Sequence, residues 1–144
     1  MQTIILGLLI CFAPPLTAVD SAVIVDSGST NSAGFQVEVS RSSGAVYTPK
    51  PRRATQLSEE LAKPRKRQVP APLIKRFFAD LEAAGSLPSL PRRGCMKSAS
   101  FGTTLTVEYR GQQTPDLRCG DRGNPTLQSL IQSTDEIVKL FGAE

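Results

Sequence analysis

Apolar and polar residues alternate in several short stretches of the chain, a period of two that is typical of half-buried β-strands. Residues 35–39 read Phe-Gln-Val-Glu-Val, and residues 103–109 combine the same alternation with β-branched side chains. Shorter β-prone stretches lie at residues 22–25, 45–48 and 112–117, with turn-forming residues between them. The pattern predicts a hairpin in each half of the chain.

Two further stretches carry apolar residues at helical spacing. Residues 72–84 begin with Pro72, which suits the first position of a helix, and they end before Gly85. The second stretch begins with Asn124 as N-cap, followed by Pro125. The apolar faces comprise Leu73, Ile74, Phe77, Phe78 and Leu81 in the first helix, and Leu127, Leu130, Ile131, Ile137, Val138 and Phe141 in the second. We therefore expect an α+β fold of the order β-β-α-β-β-α, in which both helices pack on one face of an antiparallel sheet of about four strands.

The first 18 residues carry no charged side chain and contain an apolar run at residues 4–12. Two prolines and a small residue, Ala18, follow the run, which is the layout of a secretory leader cleaved after Ala18. Cleavage after Ala22 and a buried N-terminal strand or helix are the alternatives. The run is about half the length of a membrane span. We therefore expect a signal peptide at 1–18, a single secreted or periplasmic domain at 19–144, and no transmembrane segment after removal of the leader.

The cysteine and histidine content limits the kinds of disulfide, catalytic site and metal site that the chain can form. Removal of the leader leaves Cys95 and Cys119, and an even pair in an oxidising compartment predicts a disulfide. Two unrelated buried thiols and a redox pair are the alternatives. The sequence contains no histidine, which excludes His-dependent nucleophilic catalysis and His-based metal sites. We therefore expect no metal, no cofactor and no enzymatic activity.

Residues 49–70 differ in composition from the rest of the chain, since they contain many basic residues and prolines but few apolar residues. This composition predicts an exposed, mobile loop. Four of its basic residues are candidate contacts to an acidic protein or an anionic envelope surface: Lys63, Arg65, Lys66 and Arg67. A solvated connection and a processing site are the alternatives. Nucleic acid is not expected as a partner, because the stretch has no aromatic residues on which bases would stack.

Residues 23–30, Val-Ile-Val-Asp-Ser-Gly-Ser-Thr, resemble the active-site segment of aspartic proteases. The resemblance implies Asp26 as the catalytic carboxylate, with Ser27 and Gly28 shaping the turn. Because the chain has one copy of the segment, a retroviral-type homodimer would have to supply the second carboxylate. The alternative is a turn in which Asp26 accepts hydrogen bonds from its own backbone.

On a larger scale, residues 77–87, 95–102 and 115–119 resemble a group of small uncharacterised bacterial secreted proteins that begin with a similar Asp-Ser-Gly-Ser-Thr-Asn segment. Their shared core reads Cys-Met-Lys-Ser-Ala-Ser-Phe-Gly at residues 95–102. The resemblance implies secretion but no known activity. The order of strands and helices is similar to that of small bacterial inhibitors of metalloproteases. We expect a secreted, non-catalytic binding or inhibitory domain; the alternatives are a homodimeric hydrolase using Asp26 and an envelope-associated structural protein.

Overall fold

The structure is a computed structural model that describes residues 21–50 and 63–143. The predicted leader and residues 51–62 of the predicted basic loop lie outside the described residues. Six strands form one antiparallel sheet in the order β4-β3-β2-β1-β5-β6. The strands are β1 (Ser21–Asp26), β2 (Gly34–Ser40), β3 (Gly44–Lys50), β4 (Arg65–Gln68), β5 (Leu105–Tyr109) and β6 (Gln112–Gln113).

Strand β1 lies at the centre of the sheet and pairs with β2 on one side and β5 on the other. Ile24 stands opposite both Val37 and Val107, and all three side chains are fully buried. Alternate residues of these strands point to the same face, so the apolar members of each strand form one continuous surface. That surface is the floor of the hydrophobic core.

Two helices cover this face of the sheet: α1 (Ala71–Ala84) and α2 (Pro125–Lys139). Helix α1 ends at Gly85, whose positive φ of 64° is readily adopted by glycine. The side chain of Asn124 accepts a hydrogen bond of 3.0 Å from the backbone N–H of Leu127 and so caps α2. The helices and the sheet share one core cluster, which confirms the α+β class. Among the described residues, no helix is long and apolar enough to cross a membrane.

A cluster around Arg41 joins helix α1 to the sheet. The guanidinium donates to Tyr109 Oη at 2.8 Å, lies 4.3 Å from the centre of the Phe78 ring, and pairs with Glu82. The hydrogen bond to Tyr109 raises the pKa of Arg41 above its ordinary value. Arg41 therefore stays charged throughout the pH range in which proteins are studied.

The strand count and the course of the basic segment differ from the expectation. The sheet has six strands rather than about four, and two segments inside the predicted loop at 49–70 are strands: the end of β3 at Lys50 and all of β4. Every residue of β4 is exposed, so its sequence has no apolar alternation that would reveal a strand. Basic side chains are common on edge strands because they discourage pairing with other chains. The predicted return strand at 112–117 is shorter than expected, since only Gln112–Gln113 pair with β5.

Truncation of Phe77, which is fully buried beneath the sheet, tests this core. The Phe77→Ala variant should lose about 3–5 kcal/mol of unfolding free energy, because it removes buried apolar contacts and leaves a cavity. Urea denaturation followed by circular dichroism measures the loss. Lys75→Ala, at an exposed position of the same helix, should change the unfolding free energy by no more than about 0.5 kcal/mol. Equal effects of the two substitutions would contradict the assigned helix face.

Candidate functional site

Asp26 is a buried carboxylate at the end of β1. It follows Ile24 on the core face of the strand and is only 2% exposed. Its Oδ1 accepts a hydrogen bond of 2.8 Å from the backbone N–H of Gly28. Its Oδ2 accepts from Thr103 Oγ1 at 3.1 Å and from Arg118 Nη2 at 2.8 Å. Three separate segments of the chain therefore donate to one carboxylate.

The serine-rich turn (residues 27–32) follows Asp26 and is hydrogen-bonded to the segment that leads into β5. The backbone N–H of Ser27 donates to the carbonyl of Thr104 at 3.0 Å, and Ser27 Oγ accepts from the backbone N–H of Thr104 at 2.9 Å. Ser29 Oγ donates to the carbonyl of Ser100 at 2.7 Å. The two motifs that stand out in the sequence, residues 26–31 and 95–102, are therefore neighbours in the fold.

Glycine is required in this turn at position 28. Its φ is +64°, and a Cβ atom there would lie only 2.5 Å from the backbone nitrogen of Gly34. A larger residue would push the start of β2 away from the turn. Gly28 thus keeps its N–H within reach of Asp26.

A short 3-10 helix at Leu117–Cys119 fixes several of the same segments. The preceding Asp116 accepts hydrogen bonds through Oδ1 from the backbone N–H groups of Leu105, at 2.9 Å, and Arg118, at 3.1 Å. Its other oxygen pairs with Lys97 Nζ. Lys97 Nζ also donates to the carbonyl of Thr103 at 2.6 Å. Asp116 therefore connects β5, the 3-10 helix and the segment around Lys97.

Residues 93–101, here called the anchored loop, are attached to the end of this 3-10 helix. The backbone N–H of Arg93 donates to the carbonyl of Cys119 at 2.9 Å. Cys95 and Cys119 lie at disulfide-bonding distance, as the sequence predicts, with their Cα atoms 5.6 Å apart. Because the two cysteines are 24 positions apart, the bridge contributes about 3.5 kcal/mol to stability in the chain-entropy model.

The anchored loop presents Met96 to solvent. The neighbouring side chains of Cys95 and Lys97 both reach the 116–119 segment, and side chains of an extended chain alternate in direction. Met96 therefore points away from the domain, and its exposed fraction is 102%. Phe101, near the other end of the loop, is 66% exposed. Within the described ranges, these are the two large apolar side chains exposed to solvent.

A cavity of about 310 Å³ lies beside Asp26, between Phe101 at the end of the anchored loop, the start of β2 and the segment that follows α2. Its polar wall consists of Asp26, Thr103 and the half-exposed Arg118, and Phe35 and Phe101 line its apolar side. The Asp26–Arg118 ion pair therefore borders the cavity, and Arg118 is its solvent-accessible member.

The pleat of β4 separates some of the basic residues predicted to contact a partner. In β4, Arg65 stands opposite Tyr47 and Lys66 stands opposite Val46, so the pleat directs these two side chains to opposite faces. The Arg65 guanidinium lies 4.4 Å from the centre of the Tyr47 ring. Arg67 is on the same side of the strand as Arg65, and Lys63 is an exposed residue that precedes the strand. The pleat therefore divides the predicted basic cluster.

Asp26 lies in surroundings unlike those of an aspartic-protease dyad. That mechanism needs two carboxylates that share a proton, whereas the charged partner of Asp26 in the described part of the chain is the cation of Arg118. The sequence did not reveal the roles of Thr103 and Arg118, which lie 77 and 92 positions from Asp26. No local pattern joins residues so far apart. In residues 21–50 and 63–143, no cluster of His, Cys, Asp and Glu side chains is suited to a metal ion.

The chain matches no protein-family model, and searches of curated proteins and of solved structures find no match either.

Replacement of Arg118 tests the role of the buried carboxylate. Arg118→Ala should lower the unfolding free energy by about 1–3 kcal/mol, because Asp26 stays buried but loses a charged donor. Urea denaturation of the oxidised protein measures the change. Arg122→Ala removes an exposed arginine four positions away and should change the unfolding free energy by no more than about 0.5 kcal/mol. If Arg118→Ala is as stable as Arg122→Ala, the ion pair does not hold the site together.

Proposed function

We propose that this chain is a non-catalytic binding domain that recognises a protein partner through the anchored loop. The observation that carries the proposal is the full exposure of Met96 on a segment that is fixed at both neighbouring positions. Large exposed side chains that enter a partner's pocket provide much of the affinity of protein interfaces. A loop already held in its bound shape loses less conformational entropy on binding.

The chemistry of the polar residues supports a binding role more than a catalytic one. The Asp26 carboxylate accepts three hydrogen bonds and is neutralised by Arg118. Lys97 pairs with Asp116 and so is not positioned as a free base. A homodimeric hydrolase using Asp26 is the alternative function, and it would require this carboxylate to exchange its present donors for a water and a second carboxylate.

We propose further that the domain acts outside the cytoplasm, in the periplasm or the extracellular medium. The leader-like composition of residues 1–18 and the cysteine pair support this location. Strand β1 begins at Ser21. Cleavage after Ala18 would leave the central strand whole, whereas cleavage after Ala22 would shorten it.

Strand β4 offers a competing contact surface. Lys66 and Arg67 are exposed on opposite sides of the strand, and basic side chains attract acidic proteins and anionic envelope surfaces. Binding through these residues would weaken as salt is added, because salt screens exposed charges. Binding through Met96 and Phe101 would depend far less on salt.

Paired variants of the two surfaces test the proposal. Met96→Ser/Phe101→Ser should abolish capture of a partner from the extracellular or periplasmic fraction, because it removes both exposed apolar side chains. Lys66→Gln/Arg67→Gln should leave capture unchanged. Quantitative mass spectrometry of the captured proteins compares the variants, and circular dichroism checks that each is folded. A partner that is retained by the loop variant but lost with the strand variant would assign binding to β4, and failure of the wild-type chain to capture any partner would also contradict the proposal.

A further inference from the structure

The backbone amides at the centre of the anchored loop, in residues 94–98, lie in an exposed part of the chain. Within the described part of the chain, no backbone N–H between Gly94 and Ser98 donates a hydrogen bond, although the amide of Arg93 is paired with Cys119. Residues 93–98 are exposed and belong to no strand or helix. Unpaired peptide groups in an exposed segment are available to hydrogen-bond with an extended binding cleft.

Active-site clefts of peptidases bind their substrates in this way, through backbone hydrogen bonds and a pocket for one side chain. The anchored loop offers both elements, since its free peptide groups flank the projecting side chain of Met96. Methionine is flexible and apolar, and it suits a pocket with apolar walls.

We propose that Met96 enters the specificity pocket of a serine peptidase that prefers large apolar residues, and that the chain inhibits this enzyme. The inference builds on the binding role proposed above and adds the class of partner. The residues on either side of Met96 explain why the loop would act as an inhibitor rather than as a substrate.

Cleavage of the peptide bond after Met96 would not separate its two ends. On one side, Cys95 is joined to Cys119. On the other side, Lys97 is held by its ion pair with Asp116 and by its hydrogen bond of 2.6 Å to the carbonyl of Thr103. Both new ends therefore remain attached to the same region of the domain.

The reaction can then run in both directions. The serine oxygen of the peptidase attacks the Met96 carbonyl carbon, the bond to the Lys97 nitrogen breaks, and the serine proton passes through the enzyme's base to that nitrogen. The products are an acyl-enzyme, in which the Met96 carbonyl is esterified to the serine, and a free α-amino group on Lys97. Because the amine stays close to the ester, it attacks the ester carbon in turn. The peptide bond is restored, and the proton returns to the serine oxygen with no net reaction.

The cavity beside Asp26 and the basic strand β4 are weaker candidates for a further binding site. The cavity beside Asp26 contains a carboxylate and a guanidinium that already neutralise each other. The basic side chains of β4 are divided between two faces.

Titration against two serine peptidases of opposite preference tests the inference. Chymotrypsin has an apolar specificity pocket and trypsin an acidic one. The oxidised full chain should inhibit chymotrypsin and not trypsin, as measured by hydrolysis of a chromogenic substrate. Met96→Gly should weaken the inhibition of chymotrypsin by about 30-fold or more, as expected for removal of an anchor residue. Met96→Lys should transfer the inhibition to trypsin. Lys75→Ala, on the exposed face of α1, serves as the matched control and should inhibit as the wild type does.

The Cys95→Ser/Cys119→Ser variant tests the contribution of the disulfide that holds the loop on one side of Met96. It should be cleaved after Met96 as a substrate, with both fragments detected by mass spectrometry, whereas the oxidised wild type should stay largely intact.

Full chymotrypsin activity in the presence of excess wild-type chain, or rapid cleavage of the oxidised loop, would overturn the inference. If inhibition is absent but Met96→Ser/Phe101→Ser still loses a captured partner, the inference fails and the proposed binding function stands. If capture is also independent of these side chains, both fail.

Discussion

A charged group that is removed from water needs protein hydrogen bonds and an opposite charge in place of its lost water contacts. The Asp26 carboxylate imposes this requirement on the domain. The carboxylate is 2% exposed, and its donors come from the turn at Gly28, from Thr103 and from Arg118. These donors belong to segments far apart in the chain. Loss of any one of them would leave a buried charge undercompensated, so the segments are held in one arrangement around the end of β1.

The position of the anchored loop, with Met96 exposed, follows from this arrangement. Arg118, which neutralises Asp26, immediately precedes Cys119, which holds Cys95. Asp116, two residues before Arg118, holds Lys97. The supports of the loop are therefore the 3-10 helix and its N-cap residue Asp116, next to the ion pair between Asp26 and the half-exposed Arg118. A loop restrained in this way can expose an apolar side chain without collapsing onto the domain, and it loses less entropy when it binds.

Much of the fold could be predicted from the sequence, because hydrophobic periodicity directly reflects which face of an element is buried. Both helices and the strands that line the core have this pattern. Strand β4 does not, since all of its side chains are exposed. The candidate site was only partly predictable: the cysteine pair and the Asp26 turn stand out in the sequence, but Arg118 is 92 positions from Asp26. Met96 belongs to no stretch with hydrophobic periodicity, so the sequence did not predict its exposure. That exposure follows from the inward direction of the side chains of Cys95 and Lys97.

Backbone amide order parameters from ¹⁵N relaxation of the oxidised full chain measure directly how rigid the anchored loop is. A loop held by the disulfide and by the Lys97–Asp116 ion pair should give values of about 0.85 for Met96 and Lys97, equal to those of the central strand β1. Arg118→Ala should lower the loop values while leaving those of β1 unchanged. Values below about 0.6 for Met96 and Lys97 in the wild-type chain would show that the loop is flexible and that the disulfide and the ion pair do not hold it in one shape.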